Sequence, residues 1–271
     1  MTESRITRRD MLGGFVAGAG LVMTAASNDF VGAARAQSTS KTFLLVHGAF
    51  GGGWYWRRVT DLLQAKGHRV FSPTLTGLGE RSHLLSKDTN LDTHITDIVN
   101  VIRWEDLENI CLVAHSYGGL PCSGAIEQIG GRVSSIVWVD AFKPDDGQKA
   151  ADMTSYRQAL LDSAEKGAVS ISTPKIGPTA VNEKDGAWVQ SKLTPQPLGT
   201  YMQPIKLSGA RDKVGKKTYI RLPKFASPAL DKALAECKAD NSWKTFENNT
   251  SGHIVMLDAP EWLADILLQV S

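Results

Sequence analysis

The stretch "LVAHSYGGL", residues 112–120, places a serine where a nucleophile could stand. Ser116 has Ala114 two residues before it and Gly118 two residues after it. A strand that turns sharply into a helix can hold a serine at unusual backbone angles if the residues two positions away are small. A serine that only caps a helix needs no such neighbours. The spacing therefore predicts a nucleophile elbow at Ser116, with alanine in the place where glycine is more usual.

A serine hydroxyl attacks a carbonyl only when a nearby base takes its proton. The sequence offers six histidines, at His47, His68, His83, His94, His115 and His253. His47 belongs to a glycine-rich turn and His115 to the elbow itself, so neither ring can easily face the hydroxyl. His253 follows the last apolar strand pattern and precedes the terminal helix, which suits a chain ordered nucleophile, acid, histidine. We predict His253 as the base and His83 as a substrate contact.

The negative oxygen that forms during acyl transfer needs two hydrogen-bond donors. One is predicted to be the amide of Tyr117, the residue after the nucleophile. The other is expected in the turn "HGAFGGG", residues 47–53, where glycines let the backbone approach closely. Ala49 is the predicted donor in this turn, with Phe50 as the second choice.

The elements that must hold these residues alternate between strands and helices. Strands are predicted over 41–48, 68–73, 109–115, 133–142, 216–222 and 242–248, and helices over 54–67, 91–105, 117–130, 228–239 and 259–270. Such alternation is typical of an α/β fold, in which a mostly parallel sheet carries helices on both faces.

The alternation is interrupted over residues 143–205, which contain six prolines and two short helical patterns, 150–165 and 183–192. We interpret this segment as an insertion that caps the crevice, because it keeps several apolar positions. Six side chains are predicted to contact a substrate there: Phe50, Trp54, His83, Trp138, Phe142 and Trp188. At least half of the candidate aromatics are better explained as core residues, because amphipathic helices and strands need such side chains in any case.

The first 36 residues differ from the rest. "TRRDML" places two arginines before a weakly apolar, glycine-rich stretch, and "ARA" at 34–36 has the small-x-small pattern of a cleavage site. This pattern resembles a twin-arginine export signal. We expect cleavage after Ala36 and a periplasmic or secreted bacterial protein with no stable membrane association after cleavage. An uncut signal anchor or a basic tail is the alternative.

Charge and motif content exclude several classes of binding partner. The formal net charge is +2 and no basic run stands out, so no nucleic-acid partner is expected. The HExxH, C-x-x-C and glycine-rich phosphate motifs are absent from the sequence, which predicts no metal and no other cofactor.

The three cysteines, Cys111, Cys122 and Cys237, are odd in number and widely spaced. We therefore interpret them as buried thiols, although a Cys111–Cys122 disulfide stays open. The oligomeric state is left open.

With these residues in hand, residues 37–271 resemble the α/β-hydrolase superfamily over nearly their whole length. The segments "LLVHGAFGGGWYWRRVTDLLQAKGHRV", "AHSYGG", "DAFKPDDG" and "GHIVMLDAPEWLA" are similar to small bacterial esterases related to plant methylesterases and hydroxynitrile lyases. The resemblance implies the same roles for Ser116, His253, Ala49 and Tyr117. The site residues predict a serine esterase that transfers an acyl group to Ser116 and then to water without a cofactor. The apolar candidates around the crevice favour a small to medium, largely apolar carboxylic ester. A hydroxynitrile-lyase-like C–C lyase and a ligand-binding, non-catalytic relative are the alternatives.

The catalytic acid departs from the family's usual place just after the penultimate strand. Here that strand runs into "PKFASP", residues 223–228, which contains no carboxylate. Asp212 and Asp231 lie nearby in sequence, but neither is well placed. Asp140 ends the apolar run "IVWV", and neighbouring parallel strands bring their carboxyl ends together at the crevice. We predict the triad Ser116–Asp140–His253, with an aspartate that merely starts a turn as the alternative.

Overall fold

The computed structural model of the chain describes residues 40–271, so the predicted export signal at 1–36 lies outside the described residues. Eight strands are found among these residues: β1 Thr42–Val46, β2 Arg69–Phe71, β3 Ile110–His115, β4 Val133–Val139, β5 Ser170–Ile171, β6 Gln196–Pro197, β7 Lys216–Arg221 and β8 Trp243–Glu247. Six of them form one sheet in the order β2-β1-β3-β4-β7-β8, with every neighbouring pair parallel. The predicted α/β fold with a parallel sheet is confirmed.

The α-helices of the same region fill the connections between strands. They are α1 Arg57–Ala65, α2 Leu91–Trp104, α3 Gly119–Ile129, α4 Arg157–Glu165, α5 Glu183–Lys192, α6 Gly199–Met202, α7 Pro228–Ala239, α8 Val255–Asp258 and α9 Pro260–Val270. None of the described helices is long and apolar enough to cross a membrane.

Alternating side chains of the central strands build two cores, one on each face of the sheet. In β1, Leu44 and Val46 point into one core, whereas Phe43 and Leu45 point into the other. The first core takes residues of α2, α3 and α7, and the second takes residues of α1 and α9. All four β1 side chains are fully buried, which explains why the strand is an unbroken apolar run.

The chain leaves the sheet after β4 and returns at β7. In between lie α4, α5, α6 and the short antiparallel pair β5–β6. The single helical pattern predicted over 150–165 was wrong in its first half: a 3-10 turn, Ala150–Met153, is separated from α4 by extended backbone at Thr154. Asp152 connects the two pieces, because its carboxylate accepts from the Lys149 amide at the start of the turn and from the Arg157 side chain in α4.

Two other boundaries differ in a way that matters for the site. The strand predicted over 133–142 ends at Val139, because Asp140 adopts a left-handed backbone with φ of +46°. The helix predicted over 117–130 begins as an α-helix only at Gly119, after a 3-10 turn, Ser116–Gly118. Both changes fall where a strand ends at the crevice. The three cysteines are buried and free, so the Cys111–Cys122 disulfide is not formed.

Candidate active site

The predicted elbow is present between β3 and α3. Ser116 has a φ of +52°, a left-handed conformation that is uncommon for a residue with a side chain. Gly118 and Gly119, in the same turn, are required because a side chain there would collide with neighbouring backbone, not because of their backbone angles. A Cβ on Gly118 would lie 2.7 Å from the His47 carbonyl oxygen, and one on Gly119 would lie 1.9 Å from the Phe142 carbonyl oxygen. The strained serine is thus held by close backbone packing on both sides.

Ser116, His253 and Asp140 come together although they are far apart in sequence. His253 Nε2 lies 2.8 Å from Ser116 Oγ, and His253 Nδ1 lies 2.6 Å from Asp140 Oδ2. An ionised carboxylate can only accept a hydrogen bond, so Nδ1 carries the proton and Nε2 accepts from the serine hydroxyl. This is the arrangement in which imidazole removes a proton from a nucleophile.

The backbone and the ring of His253 are held by contacts with three other segments of the chain. Its amide donates to the Thr179 carbonyl in the segment between β4 and β7, at 3.1 Å. Its carbonyl accepts from His115 Nε2 at 2.9 Å, and its ring stacks on Phe225 with centroids 4.3 Å apart. The imidazole therefore has little freedom to turn away from Ser116.

Asp140 is fully buried at the end of β4, where a charge needs partners. Its Oδ1 accepts from the guanidinium of Arg221 at 2.8 Å and from the Leu222 amide at 3.1 Å, which leaves Oδ2 for His253. The alternative acids lie elsewhere. Asp231 pairs with Arg221 on the far side of the guanidinium, and Asp212 has a largely exposed carboxylate.

Two residues of this site, Arg221 and Phe225, were missed by the sequence reasoning. An arginine that ends the apolar run "TYIRL" was the available signal for the first, because a charge in a buried strand requires a partner. Phe225 carried no comparable signal, since a single aromatic in a loop has no pattern.

The two predicted oxyanion donors sit beside the nucleophile in sequence or in space. Tyr117 lies in the 3-10 turn that opens α3, where first-turn amides lack a partner within the helix. Ala49 lines the same cavity as Ser116, and its amide donates to no acceptor among residues 40–271. The amide of Phe50, the second choice, already donates to Gln196 Oε1 at 3.0 Å.

Three other histidines surround the elbow and are held neutral. Burial lowers the pKa of His47 and of His94 to about 4, and it lowers the pKa of His115 well below its ordinary value. Each has a structural bond instead. His47 Nε2 accepts from the Leu75 amide at 3.0 Å, His94 Nδ1 lies 3.0 Å from the hydroxyl of Tyr117, and His115 Nε2 donates to the His253 carbonyl. None of the three faces Ser116 as a base.

These buried histidines predict acid sensitivity. Because the pKa of His47 and His94 falls from 6.5 in an ordinary environment to about 4 here, the unfolded chain binds more protons than the folded one below pH 6.5. Their stabilisation is complete above pH 6.5 and is lost as the pH falls. His115, whose pKa is also lowered by burial, adds to this dependence. The free energy of unfolding, measured with urea at pH 7, 6 and 5, should drop by about 4 kcal/mol per pH unit at its steepest. His94→Gln should lower that slope by about a third, because it removes one of the three buried histidines. An unchanged stability from pH 7 to 5 would contradict the assignment.

A cavity of about 790 Å³ opens above Ser116 and His253. Its wall is largely apolar and is built from the sheet edge, from the segment between β4 and β7, and from α7, including Phe50, Tyr55, Phe142, Met153, Ile171, Ile176, Phe225, Leu230 and Ala233. Its size lies in the upper part of the range of about 300–1,000 Å³ for small-molecule pockets. The site can therefore hold a medium-sized, mainly apolar molecule beside the nucleophile.

Of the six predicted substrate contacts, the cavity wall includes Phe50 and Phe142 and does not include the other four. Trp138 is fully buried in the core, with its indole bonded to the Phe142 carbonyl at 3.1 Å. Trp54 and Trp188 pack edge to face, with centroids 5.1 Å apart. His83 is exposed in a 3-10 turn, Gly79–Leu84. Packing and solvent exposure account for these four side chains.

Within the described part of the chain, no group of three or more histidine, cysteine or acidic side chains is arranged to hold a metal ion. A serine hydroxyl that is hydrogen-bonded to an imidazole, which is in turn bonded to a carboxylate, is the arrangement used in nucleophilic acyl transfer.

Comparison with known proteins agrees with this fold. The sequence profile of the Alpha/beta hydrolase family matches residues 43–266. The chain therefore belongs to the alpha/beta hydrolase family.

Several similar proteins carry the name of an esterase or methylesterase. A "Carbendazim hydrolyzing esterase" of Nocardioides sp. (strain SG-4G) is 33% identical over 239 residues, which cover 83% of this chain and 97% of that protein. A "Putative methylesterase 14, chloroplastic" of Arabidopsis thaliana is 25% identical and covers 85% of this chain and 72% of its own length. An extracellular alpha/beta-hydrolase from a Paenibacillus species superposes with a TM-score of 0.72 at 21% identity, over 85% of this chain and 99% of that one.

Proposed function

We propose that this protein is a carboxylic ester hydrolase that acts through an acyl-enzyme on Ser116. The observation that carries the proposal is the continuous hydrogen-bonded chain Ser116–His253–Asp140, at 2.8 and 2.6 Å, which opens into the cavity. The esterases among its relatives support the same reaction class.

The proposed reaction has two halves. Ser116 Oγ attacks the ester carbonyl carbon while His253 Nε2 takes the hydroxyl proton, and the amides of Ala49 and Tyr117 bind the negative oxygen. The bond from carbon to the alcohol oxygen breaks, and His253 returns its proton to the leaving alcohol. Water then attacks the acyl group with His253 again as the base, which releases the acid and restores the serine.

The cavity supports a substrate that is small to medium in size and largely apolar. A wall rich in aliphatic and aromatic side chains gains little from a charged group but removes apolar surface from water. A volume of about 790 Å³ exceeds what a short acetyl ester needs, so longer or bulkier esters should fill the cavity better.

The proposal is tested with p-nitrophenyl acetate, butyrate and octanoate and residues 37–271. We expect kcat/KM to rise from acetate to butyrate, because additional methylenes enter apolar surroundings worth about 0.8 kcal/mol each when buried. Intact-protein mass spectrometry after rapid acid quenching should show the acyl mass on the peptide that contains Ser116. Absence of both turnover and adduct would contradict the proposal. Release of cyanide from mandelonitrile would instead identify a lyase.

We also propose that residues 1–36 direct export, which makes the mature enzyme periplasmic or secreted. The support is the paired arginines of "TRRDML", followed by an apolar stretch and the "ARA" cleavage pattern.

A further inference from the structure

Arg221 is a buried cation next to the proposed acid. It ends β7 and is 1% exposed, yet its guanidinium lies between two carboxylates. All three of its nitrogens are engaged, with bonds to Asp140 Oδ1, Asp231 Oδ1 and the carbonyl oxygens of Leu222 and Phe225. A side chain with this many fixed bonds can transmit a defined geometry to its partners.

On its inner side the guanidinium determines how Asp140 faces the histidine. Arg221 Nη1 and the Leu222 amide both bind Oδ1, at 2.8 and 3.1 Å. With Oδ1 occupied twice, Oδ2 is directed to His253 Nδ1 at 2.6 Å. Rotation of the carboxylate would break two bonds, so the hydrogen bond to the imidazole is fixed in direction.

On its outer side the same guanidinium holds the loop that supports the histidine ring. Arg221 Nη2 donates to the Phe225 carbonyl at 2.9 Å, and the Phe225 ring stacks on His253 at 4.3 Å and 20°. Asp231 anchors the guanidinium from α7, with Nη2 at 2.7 Å from its Oδ1. One side chain therefore connects both groups that position the imidazole.

The charge of Arg221 also affects the Asp140–His253 pair. Burial alone would lower the pKa of the guanidinium, but the charges of Asp140 and Asp231 raise it above its ordinary value, so the cation persists. The other titratable groups around the pair are His115 from β3 and Tyr219 from β7. Burial lowers the pKa of the former and raises that of the latter, so both are neutral near pH 7.

We infer that Arg221 is a positioning residue for ester hydrolysis. It orients Asp140 toward His253, and its positive charge opposes the binding of a further proton by the Asp140–His253 pair. The inference rests on the proposed function for its kinetic consequences. Its geometric part concerns only the Asp140–His253 hydrogen bond, which can be observed without a substrate.

Arg221→Met should separate this role from simple packing. Without the cation, the imidazolium of His253 faces an uncompensated carboxylate, so the acidic limb of the kcat/KM profile should move to higher pH by about one unit. Loss of the oriented carboxylate should lower kcat about 100-fold, with a smaller change in KM, because Arg221 lies outside the cavity wall and affects it only through the Phe225 carbonyl. Arg221→Lys keeps the charge but loses the planar fork, so kcat should fall about tenfold with the acidic limb unmoved.

Two further measurements complete the test. Proton NMR should show a far-downfield resonance for the Nδ1 proton of His253 in the wild type and in Arg221→Lys, and its loss or displacement in Arg221→Met. Lys216→Met is the matched control: it removes the same charge from the exposed start of the same strand and should leave kcat, the pH profile and the resonance as in the wild type.

The outcomes are distinguishable. An unmoved acidic limb and an intact resonance in Arg221→Met would overturn the inference, as would unchanged kcat in Arg221→Lys. If Arg221→Met does not fold, by circular dichroism, the Lys variant and the resonance decide. A wild type without turnover would refute the proposed function, while the resonance would still test the geometry.

Discussion

Ser116→Ala is expected to reduce kcat for p-nitrophenyl butyrate by about 10⁶-fold, the loss seen when a serine hydrolase loses its nucleophile. The acyl-enzyme cannot form, and His253 has no hydroxyl to activate. The amides of Ala49 and Tyr117 remain in place, so the variant should still exceed the uncatalysed rate by about 10³–10⁴. KM should stay within a few-fold of the wild-type value, since the cavity wall is unchanged.

The measurement is steady-state release of p-nitrophenolate, with wild type and variant purified side by side. Ser134→Ala is a suitable control, because Ser134 is exposed on β4 away from the elbow. The variant should fold, since alanine occupies the same volume without the hydroxyl. Residual activity above one hundredth of wild type, with no wild-type contamination by mass spectrometry, would show that Ser116 is not the nucleophile.

Asp140→Asn is expected to lower kcat about 10⁴-fold, by analogy with the serine-protease template. An amide at this position can donate as well as accept. If its NH₂ group faces Nδ1, the proton of the imidazole moves to Nε2, which then cannot accept from Ser116. The neutral amide also fails to stabilise the imidazolium that forms in each half of the reaction.

Asp212→Asn provides the comparison, because it makes the same change at an exposed alternative acid and should leave kcat within about twofold of wild type. A loss of less than tenfold in Asp140→Asn would remove Asp140 from the triad. A larger loss in Asp212→Asn than in Asp140→Asn would show that Asp212, and not Asp140, is the catalytic acid.

Local patterns were sufficient to predict the elbow and the fold. The elbow is recognised from the small residues around Ser116, the strand before it and the helix after it. All of these signals lie within about ten residues of the serine. Asp140 could be predicted because a carboxylate that ends a buried strand must lie at the crevice. In each case, the physical requirement is visible in consecutive residues.

Arg221 illustrates what local patterns do not contain. Its contact with Asp140 depends on the register of two strands, in which Val139 lies opposite Ile220 and the next residues along are therefore neighbours. That register is set by packing across the whole sheet. Trp138, a predicted substrate contact, lies in the core for a related reason, because one position along a strand decides which face of the sheet a side chain meets.

The loop between β7 and α7 has a consequence for how the enzyme can diversify. Among residues 223–228 no carboxylate is present, and the carboxylate that binds His253 is that of Asp140, directly after β4. Ala226 and Ser227 still form part of the cavity wall. Their side chains make no hydrogen bond to the Ser116–His253–Asp140 chain. Substitutions at these two positions can reshape substrate preference while leaving the reaction chemistry intact. With the proposed acid at the end of β4, this loop is a suitable target for directed evolution of substrate preference.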